Sequence, residues 1–229
     1  MGAGLLVLSL LPALVCSFAF AVMLPYDIEE FREYGVAKPC PARAAVERLE
    51  NCLRTVSFTV DSTEIKNGKS ATYKATVSGA RFWNGVVVFG DSGPLLDRLR
   101  PGDRITGTVW RGGVMTLSGQ GVRQSSSDEP RDEPQWTAAV GTFTGLLAAL
   151  GLEMGAVRLI RPRDHERWTW HAYGKPLFIT MTIACFGVGF SAFLLDVPWW
   201  AVPPVPVLVV VYAAWLLHRL RKQTATRGA

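Results

Sequence analysis

Histidine is scarce in this chain, with three in 229 residues, and none of them lies between Pro25 and Trp136. That gap removes the commonest general base and metal ligand from the middle of the protein. The HExxH zinc motif is missing too, because Thr169 stands where a second histidine would have to follow His165-Glu166. Charge of one sign is also lacking there. Between Pro25 and Trp136, 15 Lys+Arg face 15 Asp+Glu, which excludes the basic groove of a nucleic-acid binder. No motif pairs a nucleophile with a base, so the reading is of a non-enzymatic protein without cofactor or metal.

Long apolar runs are present. They occupy Leu5–Met23, Thr137–Val157, Leu177–Leu195 and Ala201–Leu217, each about the roughly 17–25 residues that cross a bilayer as a helix. The net charge of +5 lies outside the neutral middle. Its excess sits in the 158–176 loop and the 218–229 tail, the positive-inside pattern. The turn around Asp196–Trp200 has no Lys or Arg. The expected topology is a plasma-membrane protein with both termini cytoplasmic and residues 25–136 outside. Trp136, Trp199 and Trp200 then fall at the outer interface, and Trp168 and Trp170 near the inner one. Ala19-Phe20-Ala21 also fits a signal-peptidase site, but no Lys or Arg precedes the run and it is long for a signal core. Those two features favour an uncleaved anchor.

The chain therefore divides into helix 1 (1–24), an outer helical segment with a disulfide (25–53), a β-barrel (54–122), a polar linker (123–136), helix 2 (137–157), a basic loop (158–176), helix 3 (177–195), an outer turn (196–200), helix 4 (201–217) and a basic tail. In the barrel region Thr55–Asp61 alternates, Lys66-Asn67-Gly68-Lys69 reads as a turn, and Ala71–Ser78 alternates again. Val86–Phe89 is a third strand and Gly93–Arg100 a short helical turn. Arg104–Trp110 and Val114–Ser118 are strands joined at Gly112-Gly113. Three strands, a helix and two strands suggest a five-stranded OB-like barrel, with an SH3-like barrel or an open meander as alternatives. Tyr73, Trp83 and Trp110 are a candidate stacking surface for a glycan or an envelope protein, against the simpler reading that they pack.

Cys16 and Cys185 lie inside apolar runs. Cys40 and Cys52 lie in the outer region, where a disulfide persists. A continuous helix between them would hold their Cα atoms about 18 Å apart, whereas a disulfide needs roughly 4.4–6.8 Å. A disulfide is expected, with the helix from Pro41 ending near Arg48–Glu50; a bond between two copies is the remaining option.

Gly141, Gly145, Gly151 and Gly155 lie within about 120° of one another on a helix, a seam for close approach. Ala184, Gly187 and Ser191 offer a small face on helix 3, so packing of helices 2 and 3 is expected. Glu153 is the one acid well inside a span, a candidate ion site or a snorkelling interfacial residue. Arg161, Arg163, Arg167 and Lys175 are expected to lie on anionic lipid headgroups at the cytoplasmic face.

Cys52-Leu-Arg-Thr-Val, Phe82-Trp83-Asn84-Gly85, Arg100-Pro-Gly-Asp103 and the later spans resemble a family of integral membrane proteins of high-GC Gram-positive bacteria. The resemblance implies a plasma-membrane location and brings no activity or catalytic residues. The expected function is an envelope protein whose outer β-module binds or positions a partner, the lipid bilayer holding the spans. The alternative is a small transporter or channel subunit using Glu153 and the glycine seam.

Overall fold

The computed structural model describes residues 2–41, 51–80, 83–131, 133–160, 170–195 and 197–227. It divides into two compact units: Glu29–Arg131, and Met1–Ile28 with Asp132–Ala229.

The first unit is a curled antiparallel half-barrel of six strands: β1 Arg54–Lys66, β2 Thr72–Ser78, β3 Gly85–Val88, β4 Arg104–Trp110, β5 Gly113–Gly119 and β6 Val122–Ser125. The order across the sheet is β3-β2-β1-β4-β5-β6. One strand serves both halves. Arg54–Thr59 pairs with β4, and Thr59–Lys66 pairs with β2, with a register shift between Val60 and Ser62. The residue added there, Asp61, accepts a hydrogen bond from Ser78 Oγ at 2.7 Å. Such a bulge bends a strand and raises its twist, so β1 turns the corner on which the sheet curls. The strand thus extends five residues beyond the expected end at Asp61.

Alternation assigns the core. Phe58, Val60, Ala75, Val77, Val87, Ile105, Val109, Val114 and Leu117 are buried together. The chain from Leu95 to Leu99 adds three leucines to this core, around a 3-10 turn at Leu96–Arg98. Buried Gln124 holds that turn: Leu95 and Leu96 N–H both donate to its Oε1, at 2.9 and 2.8 Å. Its Nε2 donates to Asp91. A buried amide with its polar atoms satisfied avoids a desolvation cost of about 1–3 kcal/mol.

Two tight turns correct the expected strand count and turn position. Arg111 (φ 46°) and Gly112 (φ 84°) form the β4–β5 turn, so Gly113 belongs to β5 and pairs with Trp110. Gln120 (φ 51°) and Gly121 (φ 78°) repeat the device and start a sixth strand. Both turns need positive φ at two successive residues, as two-residue hairpins of matching twist require. The expected linker over 123–136 is corrected with them. Residues Val122–Ser125 are strand, Ser127 N–H donates to Val88 C=O at 2.8 Å, and a helix begins at Glu133.

Among the described residues, four helices are long and apolar enough to cross a membrane, three of them in the second unit and the first running from it past Ile28. The first is α1 Gly2–Phe18 continued through a π-turn, Ala19–Met23, into α2 Leu24–Val36. The others are α3 Glu133–Ile160, α4 Lys175–Leu194 and α5 Pro204–Arg227. A second π-turn, Trp170–Gly174, leads into α4. Pro25 and Pro176 each follow a π-turn by two residues. A proline ring collides with the carbonyl four residues earlier, and a widened turn relieves that collision. The first helix therefore does not end near residue 24 but runs on to Val36.

Candidate functional site

In the β-module, β1 outruns its neighbours. Past Thr59 it pairs with β2 alone, and beyond the rows shared with β3, Ile65–Lys66 with Thr72–Tyr73 form a short two-stranded arm. Val60 is 1% exposed, but Ile65 on this arm is 40% exposed. Gly68 at the tip has φ 120°, and Tyr73 Oη donates to Asn67 Oδ1 at 3.0 Å. Lys66 pairs with Glu64 at 2.5 Å and holds its carboxyl below the usual range. Register places Glu64, Lys74 and Val88 in one row across β1, β2 and β3, and Ser62, Thr76 and Val86 in the next. Val86 and Val88 are exposed on the outward face of β3, opposite buried Val87. Val86 and Val88 share that outward face with Glu64 and Lys74, an accessible surface of mixed apolar and charged residues, whereas Ile65 shares the opposite, core-facing phase with Tyr73. Sequence reading missed Ile65, Val86 and Val88; their signal was β-branched residues in both phases of an alternating strand.

The three expected stacking aromatics do not share one surface. Trp110 is 2% exposed. Its Nε1 donates to Asn51 Oδ1 at 3.1 Å, Tyr34 meets its ring edge-on at 5.5 Å, and the Arg111 guanidinium lies over it at 4.6 Å. Arg111 is itself paired with Glu33 at 2.6 Å. Trp83 packs edge-on against Phe58 at 5.5 Å and donates to Gly112 C=O at 2.8 Å. Tyr73 packs on the core from the arm. Trp110 and Trp83 are thus structural members of the module, and Tyr73 alone borders the arm.

Tyr34 and Glu33 lie on α2, about ten residues beyond Leu24. Tyr34 Oη donates to Glu129 at 2.9 Å. Burial first, then the Glu129 carboxylate, pushes its phenol up to about 12.

Cys40 and Cys52 form a disulfide with Cα atoms 5.0 Å apart. Cys40 N–H donates to Leu53 C=O, and Leu53 N–H to Lys38 C=O, each at 2.9 Å. The chain therefore returns beside itself. The expected helix end near Arg48–Glu50 lies outside the described residues.

The glycine seam is real, but its partner is corrected. A Cβ at Gly141 would lie 2.8 Å from Phe20, at Gly145 2.9 Å from Cys16 Sγ, at Gly151 2.8 Å from Ser9, and at Gly155 2.7 Å from Leu6. All four neighbours belong to the first helix, antiparallel to α3. Missing side chains let the helices approach closely, and Phe20 fills one of the gaps. Helix α4 meets α3 elsewhere, through Gly189 on Ala139, while Gly187 faces open space.

Glu153 is exposed near the end of α3, with Tyr173 Oη 3.4 Å away. Thr142, Thr144, Thr180 and Thr182 each donate to a carbonyl of their own helix. Lys175 is exposed at the start of α4. Arg161, Arg163 and Arg167 lie outside the described residues. Among those described, no cluster of three or more His, Cys, Asp or Glu is arranged to hold a metal.

No family model, no curated protein and no solved structure matches the chain.

Proposed function

We propose that the chain is a multi-pass plasma-membrane protein that holds an OB-like module outside the cell and presents its β1–β2 arm and β3 edge to an envelope partner. The observation that carries this reading is the position of the module. Along the chain, a disulfide and a half-barrel follow the first apolar helix and precede the other three. A disulfide of this kind persists in an oxidising compartment, and the positive-inside asymmetry supports a cytoplasmic 158–176 loop and tail. Strand order β3-β2-β1-β4-β5, with a shared bulged β1 and a short helical turn before β4, supports the OB-like assignment. The sixth strand is an addition to that pattern.

The function proposed is non-enzymatic. The neutral, histidine-free composition of the outer region supports it, and so does the packing role of both core tryptophans. The outward face supports a protein or glycan partner because exposed Val86 and Val88 lie in the same rows as Glu64, Lys74 and Thr76, offering apolar and charged contacts together. At the inner face Arg161, Arg163, Arg167 and Lys175 would rest on anionic headgroups. A carboxylate at a span's end beside a tyrosine hydroxyl supports an interfacial role for Glu153 rather than an ion path.

The test is site-directed photocross-linking in intact cells. Probes at Val86 and Val88, on the outward face of β3, are expected to yield one discrete adduct, and a probe at Gln120 none. Adducts of equal intensity at all three positions, or at none, would sink the proposal.

A further inference from the structure

Alongside the glycine seam, α1 and α3 leave an open groove of about 460 Å³. Leu8 and Leu11 line one wall, and Leu147 and Leu150 the other. One end carries Arg158 and Trp170. The antiparallel seam, with Gly155 on Leu6 and Gly141 on Phe20, puts that end beside the start of α1.

Arg158 is the unusual member. Its Nε is buried and has no hydrogen-bond partner among the described residues. Guanidinium donors are costly to leave unmade, and a cation at the mouth of an apolar trough needs an anion with an apolar tail. We infer that this groove is a binding site for one anionic phospholipid, its acyl chain lying between Leu8, Leu11, Leu147 and Leu150 and its phosphate accepting hydrogen bonds from Arg158. The charge complementarity is specific. A guanidinium fork matches phosphate oxygens, while a zwitterionic lipid carries its own cation and gains less. Trp170, 46% exposed beside Arg158, has the amphipathic ring that sits at headgroup depth. The site differs from the general attraction of the basic loop, because it uses one side chain at a groove and selects a bound lipid rather than a surface.

The inference rests on the membrane-spanning reading, and one experiment separates the two. The full-length protein is reconstituted into vesicles of phosphatidylcholine with an equal amount of phosphatidylglycerol, and washed at high pH. Resistance to the wash reports spanning; extraction by it would overturn the spanning reading and this inference together. The washed protein is then released in mild detergent, and retained lipid is measured by native mass spectrometry. Expected is one phosphatidylglycerol held about tenfold over phosphatidylcholine, with R158Q removing the preference and R158K keeping part of it. L8W, which fills the groove with Arg158 intact, is expected to lower retention of both lipids, and it decides the matter if R158Q does not fold. Equal retention of the two lipids by the wild type in wash-resistant protein would overturn the inference alone. So would a preference that survives R158Q, or one removed only by neutralising Arg161, Arg163 and Arg167. Displacement by inorganic phosphate would overturn the acyl-chain part.

Discussion

The two units bury their apolar residues in opposite ways. The β-module turns Phe58, Val60, Val77, Leu95 and Leu117 inward until almost nothing of them is exposed. The helical unit leaves Val7, Leu14, Ile183 and Leu208 more than 60% exposed. Leucine and valine serve both, so residue type does not distinguish them. On the membrane-spanning reading proposed above, what differs is the surrounding medium. In water an apolar side chain must find protein partners. Beside hydrocarbon it need not, and helix association relies on close fit instead. The glycines differ in the same sense. Gly112 and Gly121 let the backbone reverse, whereas Gly141, Gly145, Gly151 and Gly155 leave room for another helix.

The largest break expected is in the module. Phe58→Ala removes a wholly buried ring and should cost about 3–5 kcal/mol. Amide exchange of the intact protein in detergent should accelerate across β1–β6 and leave α3–α5 unaffected; acceleration of the helices too would mean that the units do not fold separately. Cys40→Ser opens a loop of 12 residues and should cost about 3 kcal/mol, read as the same local acceleration and reproduced by reductant on the wild type. Next come two glycines of contrasting surroundings. Gly151→Leu should lower stability by about 1–3 kcal/mol, while Gly187→Ala should stay within about 0.5 kcal/mol. Thermal aggregation midpoints in detergent compare them, and equal effects would place the seam elsewhere. The smallest is Tyr34→Phe, about 1 kcal/mol for one hydrogen bond. It carries a pH signature. The folded phenol titrates near 12 rather than 10, so its neutral form contributes stability fully below pH 10, and that contribution is lost as pH rises from 10 to 12. Module exchange rates in Tyr34→Phe should lack this rise.

Alternation exposed the inward residues of β1, β2 and β4, because each is opposed by a strand close in sequence or by a matching pattern. It did not expose β6. Gly119-Gln120-Gly121-Val122 reads as loop until one notices that glycine occupies the second turn position, as Gly112 does after Arg111. Trp110 falls on the outward phase of β4, yet Tyr34 and Asn51 cover it. No local pattern reports a contact made by a helix 76 residues earlier. The seam illustrates the same limit. Helical spacing tells which face of α3 is bare, but not which helix covers it. The small residues of α4 suggested one partner, and the less obvious set of Leu6, Ser9, Cys16 and Phe20 is the one in place. The basic loop was legible as charge, but geometry for Arg161, Arg163 and Arg167 lies outside the described residues. The candidate arm was only half legible, its turn chemistry plain and its length hidden by the bulge at Asp61.

The pairing of the first helix with the glycines of α3 has a consequence in time. A ribosome makes Phe20 roughly 120 residues before Gly141, and at about 5–20 residues per second that is an interval of about 6–24 s. On the topology proposed above, the first helix waits in the bilayer without its mate during that interval, while the segment between them crosses, oxidises and folds. Pairing of the first helix with α3 is therefore delayed until the module between them has had its chance to form.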